Sequence, residues 1–190
     1  MPTDRYHHGS LRRAVLDAAV EVIAESGPSA LSLRDLARRA GVSHAGPAHH
    51  FGSKRGVFTA LAAEGFALLA ERLESERGSM ADLGAAYVRF GLDHRAHFEV
   101  MFRPDLFDVD DPSVLEARQL TWSLLSGSAR AATTYTDQVS PEVTELGAWA
   151  LVHGFATLAA GGAISTHSPD ALTDIVREAA SMMFREGQNS

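Results

Sequence analysis

The stretch from Leu31 to Phe66, LSLRDLARRAGVSHAGPAHHFGSKRGVFTALAAEGF, decides the fold. It reads as two short helices around a tight turn with a longer helix behind them, a helix-turn-helix. Ser32 is a good N-cap and Asp35, three residues on, is placed to close a capping box, so a helix is expected over Leu33 to Ala40. Leu33, Leu36, Ala37 and Ala40 form its buried stripe, and Arg34, Arg38 and Arg39 fall outside it. Gly41 supplies the backbone freedom for a sharp stop, Val42 an apolar plug under the turn, and Ser43 a cap for the next helix. That second helix is expected from His44 to Phe51, with Pro47 at the edge of its first turn, where a lost N–H costs little. Gly52 breaks the chain and Ser53 caps again. Lys54 and Arg55 then begin a third helix, whose apolar residues are Val57, Phe58, Leu61, Ala62 and Phe66. Lys54 is a cation at a helix start, unfavourable to the helix dipole until a phosphate stands beside it.

The whole chain, 190 residues with 45% apolar content, suffices for one sizeable core or for a small domain and a larger one. Cysteine is absent, which excludes disulfides, thiolate catalysis and Cys-based zinc sites. The N-terminus lacks an apolar h-region, and no run approaches a membrane span in unbroken apolar residues, so a soluble, unexported, cytoplasmic protein is expected. The net charge of -7 divides unevenly. Residues 1–58 hold eight Lys/Arg against five Asp/Glu, a balance of +3, and residues 59–190 hold nine against nineteen, a balance of -10. Five of the nine His also lie in the first part. A small basic head on an acidic body fits an anionic partner at the head, because charge attraction is local over a Debye length of roughly 10 Å.

The helix before the turn, Leu11 to Ile23, has the core face Leu11, Val15, Ala18 and Val22. His7, His8, Arg12 and Arg13 precede or open it, either as a frayed, solvated terminus or as an arm making phosphate contacts. Beyond Phe66 the pattern stays helical, with the third helix continuing to about Arg77, then helices over Asp82 to His94 and His97 to Arg103. Asp111-Pro112, Ser140-Pro141 and Ser168-Pro169 each place a capping residue before Pro, starting helices of roughly 112–135, 141–163 and 169–186. The fold class is therefore all-α with about nine helices, divided into residues 1–60 and 61–190. Asp108, Asp110 and Asp111 have the look of a calcium loop, but the later Gly and bidentate Glu are missing, and loop and cap roles account for them.

In the segment TELGAWALVHGFATLAAGGA, Gly147, Gly154 and Gly161 recur every seven residues with Ala150 between the first two. Gly costs about 1 kcal/mol against Ala in a helix interior, so this strip implies a close neighbouring helix. The last helix offers Leu172, Ile175, Val176, Ala179, Met182 and Met183. These two helices are the candidate homodimer interface, as a four-helix bundle with their symmetry mates.

The arrangement resembles the N-terminal DNA-binding domain of the TetR family of transcriptional regulators. The resemblance rests on the helix Leu11 to Ile23, the Ser-Gly-Pro-Ser-Ala-Leu-Ser-Leu entry at 26–33, Ala-Gly-Val-Ser at 40–43, His50-Phe51 and Ser53-Lys54. Family members commonly carry a Tyr two positions before the matching His; here it is Ala48, and its phosphate contact would pass to His49, His50 or a backbone group. A second resemblance, to the WHG type of TetR C-terminal domain, rests on Trp149-Ala-Leu-Val-His153-Gly154, Tyr87-Val-Arg-Phe and His97-Phe-Glu-Val-Met-Phe-Arg-Pro. Together these resemblances imply a ligand-responsive repressor that binds a pseudo-palindromic operator as a homodimer, with no cofactor, no metal and no membrane partner. Ser43, His44 and His49 would meet bases or backbone, His50 and Lys54 phosphate, and Ser32 and Arg34 the backbone from the preceding helix. Few Arg, Asn or Gln occupy the reading helix, so DNA shape would carry much of its specificity. Met101, Phe102, Leu106, Trp122, Leu125, Trp149 and His153 are candidates to line a small-molecule pocket.

The alternative is a helical enzyme or metal protein. His94 and His97, three apart with Asp93 nearby, could share a helix face, and His153 is a further titratable group. No HExxH, P-loop, GxGxxG or nucleophile elbow accompanies them, so the expectation is a non-enzyme.

Overall fold

The computed structural model describes residues 4–76, 78–132, 140–164 and 168–183, with the backbone alone at 4–10, 128–132 and 183. Among the described residues there are nine α-helices, one short 3-10 turn and no strand. In chain order they are α1 (Asp4–Ser26), the 3-10 turn Pro28–Ala30, α2 (Leu33–Arg39), α3 (Gly46–Phe51), α4 (Lys54–Ser75), α5 (Met80–Asp93), α6 (Arg95–Met101), α7 (Pro112–Ala132), α8 (Pro141–Ala160) and α9 (Pro169–Met183). The helices pack into two compact units. One comprises residues 1–65 and 96–116, the other 66–95 and 117–190, so α4 contributes its first half to one and its second half to the other.

In the first unit α1 begins at Asp4, well before the expected Leu11, and buries Val15, Leu16, Ala19, Val22 and Ile23. Against these lie Leu31, Leu36 and Ala37, and with them Val57, Phe58 and Leu61 of α4 complete the core. Glycines set the turns: Gly41 at φ +65° ends α2 and Gly52 at φ +70° ends α3, conformations an L side chain rarely adopts. Gly56 answers a different need, because a Cβ there would stand 1.9 Å from the Phe51 carbonyl oxygen. The first turn of α4 therefore packs directly on the end of α3. Gly65 does the same for α6, whose Met101 Sδ would meet an added Cβ at 2.6 Å.

In the second unit α5 is the central helix. Leu83, Gly84, Ala85, Ala86, Tyr87, Val88, Phe90 and Gly91 are all buried, and α8 and α9 pack on it. A capping box of Ser79 and Asp82 starts the helix two residues before the expected Asp82. The small Gly84 lets α8 come close, since a Cβ there would lie 3.0 Å from Val152 Cγ1. Arg177 to Asp82 at 3.1 Å and Arg89 to Asp170 at 2.7 Å join α9 to α5 at an exposed rim, where solvent screens both pairs.

Several expected boundaries moved. Ser32 accepts the Asp35 N–H at 3.2 Å, but the capping box is not closed, because the Asp35 carboxylate is held by Arg38 and Arg39. The second short helix starts at Gly46 rather than His44. Ser43 contributes its carbonyl to a turn with the Gly46 N–H at 2.9 Å and makes no side-chain cap. α6 starts at Arg95 and ends at Met101 rather than Arg103. α8 stops at Ala160 instead of residue 163. Gly162 at φ +74° turns the chain so that the Ala163 N–H reaches the Leu158 carbonyl at 2.9 Å, which leaves Gly161 past the helix end. α4 ends at Ser75 rather than at about residue 77, with Glu76 already outside the helix, and the expected extension of α7 and α9 to residues 135 and 186 lies outside the described residues.

Candidate functional site

The first unit presents α3 with a divided surface. Gly46 and Pro47 are buried and His50 and Phe51 half-buried, while Ser43, His44, Ala45, Ala48 and His49 are exposed. Gly46 sits against Leu11, Val42 and Ser43, so α1 and the turn hold the helix from behind. The imidazoles of His49 and His50 meet edge to face, 5.5 Å between centroids.

Around α3 the basic residues have different employments. Arg38 and Arg39 are tied to Asp35, and Arg39 also to Glu25 at 2.9 Å, which lowers the pKa of both carboxyls. Arg34 is exposed and makes no ion pair among the described residues. Lys54 opens α4 as expected, with Ser53 capping the Gly56 N–H at 3.2 Å. Its ammonium donates to the Ser29 carbonyl at 3.1 Å and lies 5.6 Å from the Phe58 ring centroid. Ser32 is exposed and occupied as the cap of α2. The sequence pattern gave Arg55 only a place at the start of the third helix, and Arg12 either a frayed, solvated terminus or an arm. Arg12 lies over the Phe51 ring at 5.7 Å, and Arg55 donates to the Asp105 carbonyl at 3.4 Å. With His50, Asp108 and Asp111 they line an open groove of about 390 Å³.

Arg13 is not an arm residue. It pairs with Asp17 and reaches Glu64 at 2.8 Å, and the same Glu64 carboxylate stands 3.3 Å from Nε2 of the buried His97. His97 first and Arg13 second hold the Glu64 carboxyl down to about 2, against a usual value near 4.5. α1, α4 and α6 are joined through this one carboxylate, a pairing across 51 and 33 residues that local pattern does not signal.

The seven pocket candidates fall in both units. Met101 packs at Gly65, Phe102 has its ring 5.0 Å from that of Phe98, and Leu106 is half-buried, all in the first unit. Trp122, Leu125, Trp149 and His153 belong to the second, where the structure brings them together around Tyr87. The Trp149 indole N–H donates to Tyr87 Oη at 3.3 Å, and Tyr87 Oη is hydrogen-bonded to His153 Nδ1 at 3.0 Å. The Trp122 and Trp149 rings meet edge to face at 6.0 Å. Burial raises the Tyr87 phenol and lowers the His153 imidazolium, so both are neutral near pH 7. Trp122, Leu125, Trp149, Gly84 and Val152 enclose a cavity of about 10 Å³, the room of one water. Buried Glu145 completes its wall, a residue that the sequence pattern did not mark.

His94 and His97 do not share a helix face. His94 caps the end of α5, stacked on Phe90 at 4.9 Å, and His97 lies in α6. Among the described residues no three His, Cys, Asp or Glu are grouped to hold a metal ion.

The other exposed feature of the second unit is apolar. On α8 Val143, Leu146, Ala150 and Leu158 are exposed on one side, with half-buried Gly147 and Gly154 between them, and no charged residue lies among them. Among the described residues, the helix's own backbone aside, nothing comes within 4 Å of where a Cβ would stand at Gly147 or Gly154. The expected stripe of α9 is split: Leu172 and Val176 are buried with Ala180, while Ile175 and Met182 are exposed at 46% and 73%. α8 is also long and apolar enough to cross a membrane by length and composition, yet its opposite side is buried in the unit through Thr144, Glu145, Ala148, Val152 and Ala156.

Comparison with known proteins matches residues 15–61 to the model of bacterial regulatory proteins of the tetR family and residues 80–183 to the tetracyclin repressor-like C-terminal domain. A curated relative, the HTH-type transcriptional repressor Rv3405c of Mycobacterium tuberculosis, is 44% identical over 54 residues, 28% of this chain. The match spans only 27% of that repressor's length. A solved structure of a protein of unknown function from Rhodococcus sp. RHA1 is 34% identical with a TM-score of 0.74, covering 95% of this chain and 98% of that one. LfrR from Mycobacterium smegmatis, a TetR-like transcriptional regulator solved in complex with proflavine, shares the fold at 21% identity, with a TM-score of 0.65 over 92% of this chain and 95% of its own.

Proposed function

The chain belongs to the TetR family of bacterial regulatory proteins, and on that premise we propose that it is a cytoplasmic transcriptional repressor that binds a pseudo-palindromic operator as a homodimer and is released by a small molecule. One observation carries the reading: α3 is held from behind at Gly46 and Pro47 and offers Ala48 and His49 outward, with Ser43 and His44 exposed in the turn before it and Lys54 at the start of α4. A dimer would set two such helices in successive major grooves, roughly 34 Å apart. His50, Lys54, Ser32 and Arg34 would touch the phosphate backbone. The Lys54 ammonium now rests on a carbonyl, a contact that a phosphate oxygen can replace with gain.

The uncharged face of α8 with Ile175 and Met182 of α9 is where the second copy would pack, and its glycines would admit the mate's helix closely. Such cover would also account for five large apolar side chains left in water. The aromatic cluster around Tyr87 would be the core of the effector site; LfrR, which shares the fold, was solved with a small molecule bound. α4 contributes to both compact units and is the mechanical link by which an effector would change the spacing of the heads. A 100-fold loss of operator affinity needs only about 2.7 kcal/mol of such coupling. No catalysis is assigned.

The test is a mobility-shift titration on the DNA upstream of the protein's own coding sequence at two salt concentrations, beside Lys54→Ala. Specific, salt-sensitive binding weakened by the variant is expected. Absence of specific binding there and in selection from random DNA would refute the reading. Identical head spacing with and without effector would refute the linkage through α4.

A further inference from the structure

Of the seventeen Lys and Arg residues in the chain, Lys54 is the only lysine and the other sixteen are arginine. That one lysine stands at a particular place. It opens α4 three residues after the end of α3, and its ammonium donates to the carbonyl of exposed Ser29 at 3.1 Å, a contact at the surface. The Phe58 ring centroid lies 5.6 Å from it, and no carboxylate neutralises it among the described residues.

None of these contacts calls for lysine. A guanidinium donates to a carbonyl, lies over an aromatic ring and holds phosphate, the last bidentately, and it is the cation that this chain uses everywhere else. What lysine alone brings is a primary amine that can be acylated, because a guanidinium stays protonated and is no nucleophile near neutral pH. We infer that Lys54 is an acylation site, and that a short acyl group on its nitrogen switches the head off its operator. The inference rests on the reading of the first unit as the DNA-binding part. In the step, the neutral amine attacks the carbonyl carbon of an activated acyl donor, a thioester or an acyl phosphate. An N–C bond forms and the C–S or C–O bond to the leaving group breaks. The thiolate or phosphate departs with the electron pair, and the proton displaced from nitrogen passes to solvent.

The local structure directs the effect to DNA and spares the fold. A cation at the first residue of α4 opposes the helix dipole, so its discharge does not weaken the helix. The amide that forms keeps one N–H for the Ser29 carbonyl. What disappears is the charge that a phosphate would meet, and with it the counterion release that favours binding. Each head of a homodimer carries one such amine, so two acyl groups discharge both half-site contacts.

The test incubates the full chain with acetyl phosphate and, separately, with acetyl-CoA. Peptide mass mapping is expected to place an acetyl group on Lys54, counted apart from any on the α-amino group, and operator DNA is expected to slow its addition. The acetylated protein should bind the operator at least about tenfold more weakly, with a salt slope smaller by about one per head, at an unchanged melting temperature. Lys54→Arg keeps the charge and cannot be acylated there, so its affinity should be the same before and after treatment. Lys54→Gln, uncharged like the acylated side chain, should bind as the acetylated parent does. The donor that reacts distinguishes the thioester from the acyl phosphate. No acetyl group on Lys54 from either donor while the α-amino group reacts, or an equal loss of affinity in treated Lys54→Arg, would overturn the inference. An untreated chain that selects no specific sequence from random DNA removes the DNA-binding reading and the switch with it. Specific binding that acetylation leaves intact removes the switch alone.

Discussion

Replacing Glu64 by Gln keeps the shape of the side chain that joins α1, α4 and α6 and removes its charge. The carboxyl is held at about 2 by His97 and Arg13, against an ordinary 4.5. A gap of that size corresponds to at most about 3.4 kcal/mol at roughly 1.36 kcal/mol per pH unit. The Arg13 side chain is 53% exposed and the Glu64 side chain 19%, so solvent screens part of this, and about 1.5 kcal/mol is expected near pH 7. Because the folded value is depressed, the stabilisation is present above the unfolded value and is lost as pH falls from about 4.5 toward 2. Urea unfolding of both proteins at steps from pH 7 to 2.5 measures this. The difference should be near 1.5 kcal/mol at pH 7, equivalent to roughly 3 to 6 °C in melting temperature, and should shrink steadily below about pH 4.5 to a small fraction at pH 2.5. A difference that stays constant with pH would mean that packing and not charge joins the three helices, and no difference at pH 7 would refute the reasoning outright.

Three further outcomes follow from the second unit. Ser79→Ala removes the capping box of α5 and should lower stability by about 1 kcal/mol, read by thermal melting, while leaving operator affinity unchanged. Gly84→Ala sets a Cβ 3.0 Å from Val152 Cγ1, and the overpacking, offset by about 1 kcal/mol of helix propensity, should leave a net cost of up to about 2 kcal/mol; adding Val152→Ala should recover part of it, and a double variant no better than the sum of the singles would locate the strain elsewhere. His153 is depressed by burial, so the unfolded chain binds its proton more readily and stability should fall as pH drops below about 6.5. In His153→Gln that part of the pH profile should flatten, and an unchanged slope would assign it to another group.

What the sequence disclosed was mostly local. Ser32, Ser53 and Ser140 cap the helices expected of them, and Gly41 and Gly52 turn the chain where a left-handed residue was needed, because each decision is made within four residues. The start of α3 was misread where two local solutions compete: a Ser43 hydroxyl cap, and a backbone turn from Ser43 to Gly46 that presents Pro47 to the first helical turn. Non-local choices were harder. Leu172, Ile175, Val176, Ala179 and Met182 form one wide apolar stripe on paper, and only packing on α5 divides it into buried and exposed halves. Trp122, Leu125, Trp149 and His153 were found as large residues on helices expected to be neighbours. Glu145 was not, since its burial depends on which side α8 turns to α5. Arg13 likewise looked like a terminal cation until its partner proved to lie on α4.

The divided surface of α3 bears on how such a protein can change its target. Gly46 and Pro47 answer to the scaffold, and the exposed Ser43, His44, Ala45, Ala48 and His49 answer to whatever lies outside. Inheritance can therefore vary the second set while the first keeps the helix seated, and few of these variations touch the core on which stability rests. Small side chains at two of the five, Ala45 and Ala48, leave room to acquire a longer polar group by single substitutions. If the exposed set meets DNA as proposed, a lineage carrying this head can drift from one target sequence to another in short steps, each intermediate still folded.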